Sequence, residues 1–269
     1  MKGNQNMKRI QAFEFHERHE CPKFLRDSVV EILGHGMRLS SCVYSSVELF
    51  KKFYDYSNSD KILDICSGSG EPASALISGL KKHGIYNIKF IISDLFPKID
   101  AMENVKKNHP QHVEIITESV DATNVPKFDN IKSRTIINAF HHFKPDIAQK
   151  IIEDCVKKRH SIFIFEAFPR DLLRFFSILP ASAIGYLINP FITKENKILK
   201  VIFSYIIPII PLLGLYDGII SVLRIHNKEE LMEMVKNSSQ DYDWQYHEIP
   251  FFPFGKSVVF FGICKNKQI

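Results

Sequence analysis

Four carboxylates and a pair of histidines punctuate the middle of the sequence, each just past a short apolar run. Asp64 follows Ile62-Leu63, Asp94 follows Ile91-Ile92-Ser93, Glu166 follows Ile162-Phe163-Ile164-Phe165, Asp121 comes soon after Val113–Thr117, and His141-His142 come just after Ile136-Ile137-Asn138. Short apolar runs of this kind read as buried strands. Residues at the carboxyl ends of such strands line the crevice where open α/β sheets bind ligands. A carboxylate there, as at Asp94, can accept hydrogen bonds from both hydroxyls of a ribose. Histidine titrates near neutrality and can take a proton from an attacking hydroxyl or amine. Neighbouring side chains in an extended chain point opposite ways, so one histidine of the pair, taken as His141, faces a substrate.

The loop after Asp64 carries a second kind of chemistry. It reads Cys66-Ser67-Gly68-Ser69-Gly70-Glu71-Pro72-Ala73. Proline is favoured in the first helical turn, and Glu71 places a carboxylate near the helix's positive end, so a helix starts here. Gly68 and Gly70 allow a sharp turn and a close backbone approach to a ligand. Gly68-x-Gly70-x-x-Ala73 also fits the dinucleotide fingerprint, in which a helix N-terminus cradles a pyrophosphate. One such match does not separate nucleotide classes.

With the acidic residue that ends the strand included, Lys61–Ala73 resembles the first motif of class I S-adenosylmethionine (SAM)-dependent methyltransferases, with Cys66 where that family has its first glycine. The resemblance implies that Asp64, Cys66, Ser67, Gly68, Ser69 and Gly70 surround SAM and that Asp94, with Leu95, holds its ribose. It implies that Asp121-Ala122 read the adenine edge through a side chain and a backbone N–H. It puts Asn138 and the following Ala-Phe-His-His-Phe143 beside the methionine moiety and the methyl group. Glu166 and Asp217-Gly-Ile-Ile-Ser-Val-Leu-Arg224 would project over the same sheet edge. Together with Phe13-Glu14-Phe15, Cys21-Pro22 and Leu25-Arg26-Asp27, they resemble a bacterial group of class I methyltransferases of unassigned substrate. The candidate catalytic residues are therefore His141, His142, Glu166, Asp217 and Arg224. A structural Asp217–Arg224 pair is the alternative for the last two.

Glu14-Phe-His-Glu-Arg-His-Glu-Cys21 would set His16 and His19 at i, i+3 on one helix face. No second ligand cluster is evident elsewhere in the sequence, so no metal is expected.

The elements that must position these residues alternate strand and helix from residue 61. Strands are expected at 61–66, 88–93, 113–117, 134–138 and 161–166, with helices at 72–83, around 99–108 and at 145–158. A helix at 228–237 and strands at 241–249 and 257–265 follow, the last two joined by a long connection containing Pro250, Pro253 and Gly255. This is an α/β fold: a Rossmann-like, seven-stranded, mostly parallel sheet ending in an antiparallel hairpin. Residues 1–60 read as an N-terminal helical cover and 61–269 as the SAM-binding domain, with a hydrophobic helical cap inserted at 170–216. The cap's second apolar run, Val201–Leu215, is shorter than the ~20 residues a spanning helix needs. Pro208 and Pro211 break it, and Lys194, Glu195, Lys197 and Lys200 separate it from the first run. Its apolar side chains are expected to face inward and line an acceptor pocket, with peripheral membrane contact as the other use.

A hydrophobic content of 45% and a charged content of 24% are those of a globular chain. The net charge of +5 is modest, and the lysine pairs fall on separate helices as solvated faces, so no nucleic-acid partner is expected. Five cysteines without metal-ligand spacing point to a reducing compartment. Met1–Arg9 have no apolar run behind them, so no signal peptide is expected and the cytoplasm is the expected location. The expected activity is methylation of a small, apolar acceptor at oxygen or nitrogen. The alternatives are an NAD(P)-dependent oxidoreductase, which lacks a tyrosine–lysine hydride-site pair here, and a non-catalytic membrane-associated SAM-binding protein.

Overall fold

In the computed structural model, which describes residues 7–39, 42–57, 59, 61–193, 195–252 and 254–265, the apolar runs pair into one seven-stranded sheet ordered β3-β2-β1-β4-β5-β7-β6. β1 (Lys61–Asp64), β2 (Lys89–Ile92), β3 (Val113–Ile115), β4 (Ile131–Ile137) and β5 (Ser161–Glu166) are parallel. β7 (Gly255–Cys264) runs antiparallel to them, between β5 and the edge strand β6 (Tyr242–Phe251). Chain order reverses between β1 and β4, which makes the cleft beyond their carboxyl ends the topological switch point.

The strands are apolar throughout because both faces are covered. On one face, α2 (Val47–Ser57), α3 (Glu71–Lys82) and α4 (Ile99–Asn108) bury Phe50, Phe53, Leu76 and Met102 against Phe90, Phe163 and Phe261. On the other, α5 (Pro145–Lys157) and α9 (Lys228–Met234) bury Ile151, Cys155 and Leu231 against Leu63, Ile136 and Phe260.

Some boundaries differ from the expected ones for physical reasons. β4 begins at Ile131, three residues early, because Arg134 is fully buried inside it and donates to Asp154 Oδ2 at 2.7 Å. The connection from β6 to β7 is short. Pro250 lies within β6, where an edge strand tolerates its missing N–H, and Gly255 already opens β7. Residues 7–14 are not helical; the first helical turn is the 3-10 segment Phe15–Glu17, and α1 (Lys23–Leu39) follows. Met1–Asn6, Asn58, Lys194 and Pro253 lie outside the described residues.

The cap comprises α6 (Leu172–Ile192), α7 (Lys197–Val201), a π-helical turn Ile202–Ile206 and α8 (Ile209–Arg224), so it runs eight residues beyond the expected end at 216. Pro208 caps α8 and Pro211 sits in its first turn, so the prolines do interrupt the apolar run. α6 and α8 approach closely at Gly214, where a Cβ would lie 1.9 Å from the Tyr186 hydroxyl. Tyr186 and Ile210 pack with Leu25 and Ile32 of α1.

Among the described residues, only part of the cap finds such partners. The expectation that the cap's apolar side chains face inward fails on its outer face, where Leu173 (73% exposed), Phe191 (69%), Ile198 (78%) and Ile206 (71%) stand in the open. Among the described residues no single helix is long and apolar enough to cross a membrane.

Candidate functional site

The loop after β1 is held from behind by Asp64, whose carboxylate is buried. Ser67 Oγ lies 2.6 Å from Asp64 Oδ2, and Thr135 Oγ1 donates to Oδ1 at 2.6 Å. Asp64 was expected among the residues around the cofactor; its oxygens are turned to Ser67 and Thr135. Burial, first of all, and then the nearby Asp94 push its carboxyl up to about 7.

Cys66, Gly68 and Gly70 all take positive φ, at 64°, 56° and 78°. Cys66 therefore adopts the left-handed backbone usual for glycine, with the strain that this costs a side-chain-bearing residue. Burial, reinforced by Asp94, Asp64 and Asp121, holds its thiol above the ordinary range. Those three carboxylates thus surround the loop. Asp94 joins it directly: Gly68 N donates to Asp94 Oδ2 at 2.8 Å, and Phe96 N donates to Oδ1 at 2.9 Å. Leu95 beside it is exposed. Asp121 accepts from Thr123 N and Oγ1 in an Asx turn through Oδ1 alone, and Ala122 packs into the core below.

A second polar centre stands past the end of β4. Asn138, at φ 55°, accepts from Ala167 N through Oδ1 at 3.0 Å, which clips β4 to the end of β5. Phe140–His142 then form a 3-10 turn rather than extended chain. His141 and His142 therefore lie side by side, ring centroids 4.2 Å apart, instead of pointing opposite ways.

Each imidazole is held by a carboxylate. Glu166 accepts from His141 N at 2.8 Å and meets His141 Nδ1 at 2.7 Å. Glu17 meets His142 Nδ1 at 2.6 Å. Burial opposes the charged form of both rings. Glu166 overrides it at His141, whose pKa is raised, while the neighbouring His141 charge adds to it at His142, whose pKa is lowered despite Glu17. His141 thus holds its proton to higher pH than an ordinary histidine. His142 is the ring of the pair that more readily stays neutral.

The N-terminal segment closes this centre, and α8 docks it. Asp217 accepts from Phe15 N at 2.6 Å and His16 N at 3.2 Å and meets His16 Nδ1 at 3.0 Å. Arg224 donates to Glu14 Oε1 at 3.0 Å, to both Glu17 oxygens and to the Ala12 carbonyl. Asp217 and Arg224 are thus turned to the N-terminal segment, not paired with each other. Burial opposes ionisation at Glu17 and His16. The His142 and Arg224 partners nevertheless pull the Glu17 carboxyl well below its ordinary range, and the Asp217 hydrogen bond raises His16.

Sequence reasoning gave Glu14, His16 and Glu17 no role in the site. Phe13-Glu14-Phe15 entered only through the family resemblance, and the acidic, histidine-bearing run Glu14–Cys21 was weighed as a helical metal face against a polar one. No helix spans His16 to His19; His19 is exposed in a turn, while His16 folds inward.

The overall fold is that of solved methyltransferases of class I. The plantazolicin methyltransferase BpumL, solved with SAH, aligns over 93% of this chain and 93% of its own at a TM-score of 0.53 and 12% identity. The O-methyltransferase NcsB1 from neocarzinostatin biosynthesis, solved with SAM and 2-hydroxy-5-methyl naphthoic acid, aligns over 94% of this chain at a TM-score of 0.52 and 12% identity. An O-methyltransferase family protein from Burkholderia thailandensis aligns over 91% at a TM-score of 0.48 and 14% identity. This chain spans 62% of NcsB1's length and 58% of the Burkholderia thailandensis protein's. No protein-family model matches the chain, and no curated protein does.

Proposed function

We propose that this protein is a SAM-dependent methyltransferase acting on a small, apolar acceptor at oxygen or nitrogen. The observation that carries the reading is the Gly68–Asp94 hydrogen bond at the switch point, which ties a left-handed glycine loop to the carboxylate at the end of β2. The loop's shape fits a bound nucleoside. A Cβ at Gly68 would meet no atom within 4 Å, so the backbone there borders open space, whereas one at Gly70 would press Ile92 at 3.1 Å. Cys66, Ser67, Gly68, Ser69 and Gly70 would border the cofactor, Asp94 would accept its ribose hydroxyls, and Leu95, Asp121 and Ala122 would flank the adenine. Asn138 would stand beside the methionine end. SAM supplies a methyl group already activated on a sulfonium.

The chain's own work is then to orient the acceptor and exclude water. The imidazoles of His141 and His142, each fixed by its carboxylate, form the polar end at which the attacking group is held and activated. Glu166 keeps His141 in place, and Asp217 and Arg224 hold the N-terminal segment over it. An apolar groove of about 390 Å³, lined by Phe13, Phe15, Pro22, Leu25, Ile209 and Leu213, adjoins this segment and suits an apolar acceptor.

The outer face of the cap supports a finer element: peripheral contact with a lipid surface, from which an apolar acceptor enters. The reading puts the protein in the cytoplasm, where its five cysteines stay reduced. Isothermal titration with SAM, S-adenosylhomocysteine, NAD and NADP tests the core of the proposal. The first two should bind and the last two should not; binding of NAD alone, or of none, sinks it.

A further inference from the structure

We infer that Glu14, His141 and His142 form a site for one divalent first-row transition metal at the acceptor end of the cleft. One ligand atom from each residue lies within 4.8 Å of the other two. Side-chain rotations of about an ångström bring three such atoms to the ~2.0–2.2 Å of nitrogen and oxygen ligand bonds. Glu14 and His141 are buried and His142 is partly exposed, so the site has one open side.

The surroundings are those of a metal centre. Metal-bound histidines donate their other ring N–H to a carboxylate, which fixes the tautomer and raises the basicity of the ligating nitrogen. Both histidines have that partner: Glu166 at His141 Nδ1, 2.7 Å, and Glu17 at His142 Nδ1, 2.6 Å. Their Nε2 atoms are the nitrogens left for an ion. Glu14 commits Oε1 to Arg224 and Ser221, so Oε2, which lies 3.4 Å from His16 Nδ1, is the ligand oxygen.

Two imidazoles and one carboxylate suit zinc, iron(II) or cobalt(II) rather than magnesium or calcium, and three protein ligands leave positions open for a further ligand. The metal site stands on this geometry alone. Its use rests on the proposed methyl transfer: an acceptor hydroxyl taking an open position ionises more readily, its proton passing to water.

The test is cobalt(II) titration of the metal-stripped full chain, followed by visible absorption. One cobalt per chain should bind with the spectrum of nitrogen and oxygen ligation, and one zinc should displace it. His142→Ala and Glu14→Gln should each weaken binding by about 100-fold or more. Glu166→Gln, which touches no metal, should weaken it by about 10–100-fold. His19→Ala, on the surface, should change nothing. Circular dichroism checks that each variant is folded. A thiolate charge-transfer band, or binding equal to wild type in folded His142→Ala, overturns the proposal. SAM titration of the stripped protein separates the two readings. SAM binding without a cobalt site removes only the metal, and cobalt binding without SAM binding removes only the methyltransferase.

Discussion

The Arg224 guanidinium donates to the Glu14 carboxylate at 3.0 Å across 210 residues of chain, and both groups are buried. The same guanidinium grips both oxygens of Glu17, so the end of α8 and the N-terminal segment form one charged clasp over the histidine pair.

Breaking this clasp from one side strands the buried Glu14 carboxylate. Arg224→Met should therefore destabilise the fold by about 3–5 kcal/mol, the scale of an unpaired buried charge. Arg224→Lys should rescue little, because an ammonium cannot fork onto Glu14 and Glu17 together. Guanidinium denaturation reads both. A midpoint unchanged in Arg224→Met would mean that the segment is not docked in solution.

That clasp was only half legible in the sequence. The sheet was readable because each parallel strand is a continuous apolar run closed by an acidic or turn residue, and the glycine loop advertised itself by spacing. The pairing of Arg224 with Glu14 and Glu17 joins residues with no shared periodicity, so nothing local announces it. The turn at Phe140–His142 was missed because its apolar flanks look like more strand. Arg134 hid the start of β4, since a charged residue reads as a strand end unless its partner, Asp154, is known.

At the cofactor loop, two glycines should respond differently. Gly68→Ala should cost about 1–2 kcal/mol of stability for a side chain at positive φ, with no protein clash, and should also weaken SAM binding because its methyl group enters the ligand's space. Gly70→Ala carries the same backbone strain and adds crowding against Ile92 and Val105, so it should be the less stable of the two. Asp94→Ala should lose roughly 1–3 kcal/mol of SAM affinity. Calorimetry showing SAM binding intact in both Gly68→Ala and Asp94→Ala would remove the cofactor assignment.

Asp64 gives the fold a pH signature. Burial lifts its carboxyl from an ordinary 3.8 to about 7. Ser67 Oγ lies near both the Asp64 carbonyl and Oδ2, so a protonated Oδ2 can donate to Ser67 while Ser67 donates to the carbonyl. Between pH 3.8 and about 7 the folded chain keeps a proton that the unfolded chain has released. This contribution to stability is present in full at the acidic end of that window, falls as pH rises through it and levels off above. Asp64→Asn should flatten the fall, by a few kcal/mol at most. Parallel slopes for the two proteins in denaturation between pH 5 and 7.5 would show that Asp64 ionises normally.

The cap offers the sharpest separation of roles, because its two faces differ. On the inner face Ile210 is fully buried between α8 and α1, so Ile210→Ala should destabilise by about 2–5 kcal/mol. On the outer face Leu173, Phe191, Ile198 and Ile206 gain nothing from folding, since they stay exposed. Placed in a lipid surface, each would contribute roughly 1.5–3 kcal/mol, the value of burying a large apolar side chain. Phe191→Glu and Leu173→Glu should each lower the partition onto anionic vesicles by about tenfold or more, with stability and SAM affinity unchanged. Cosedimentation measures the first and calorimetry the second. Should wild type and both variants sediment alike, the outer face does not meet lipid, and the apolar acceptor must reach the groove beside Phe13 and Phe15 from solution.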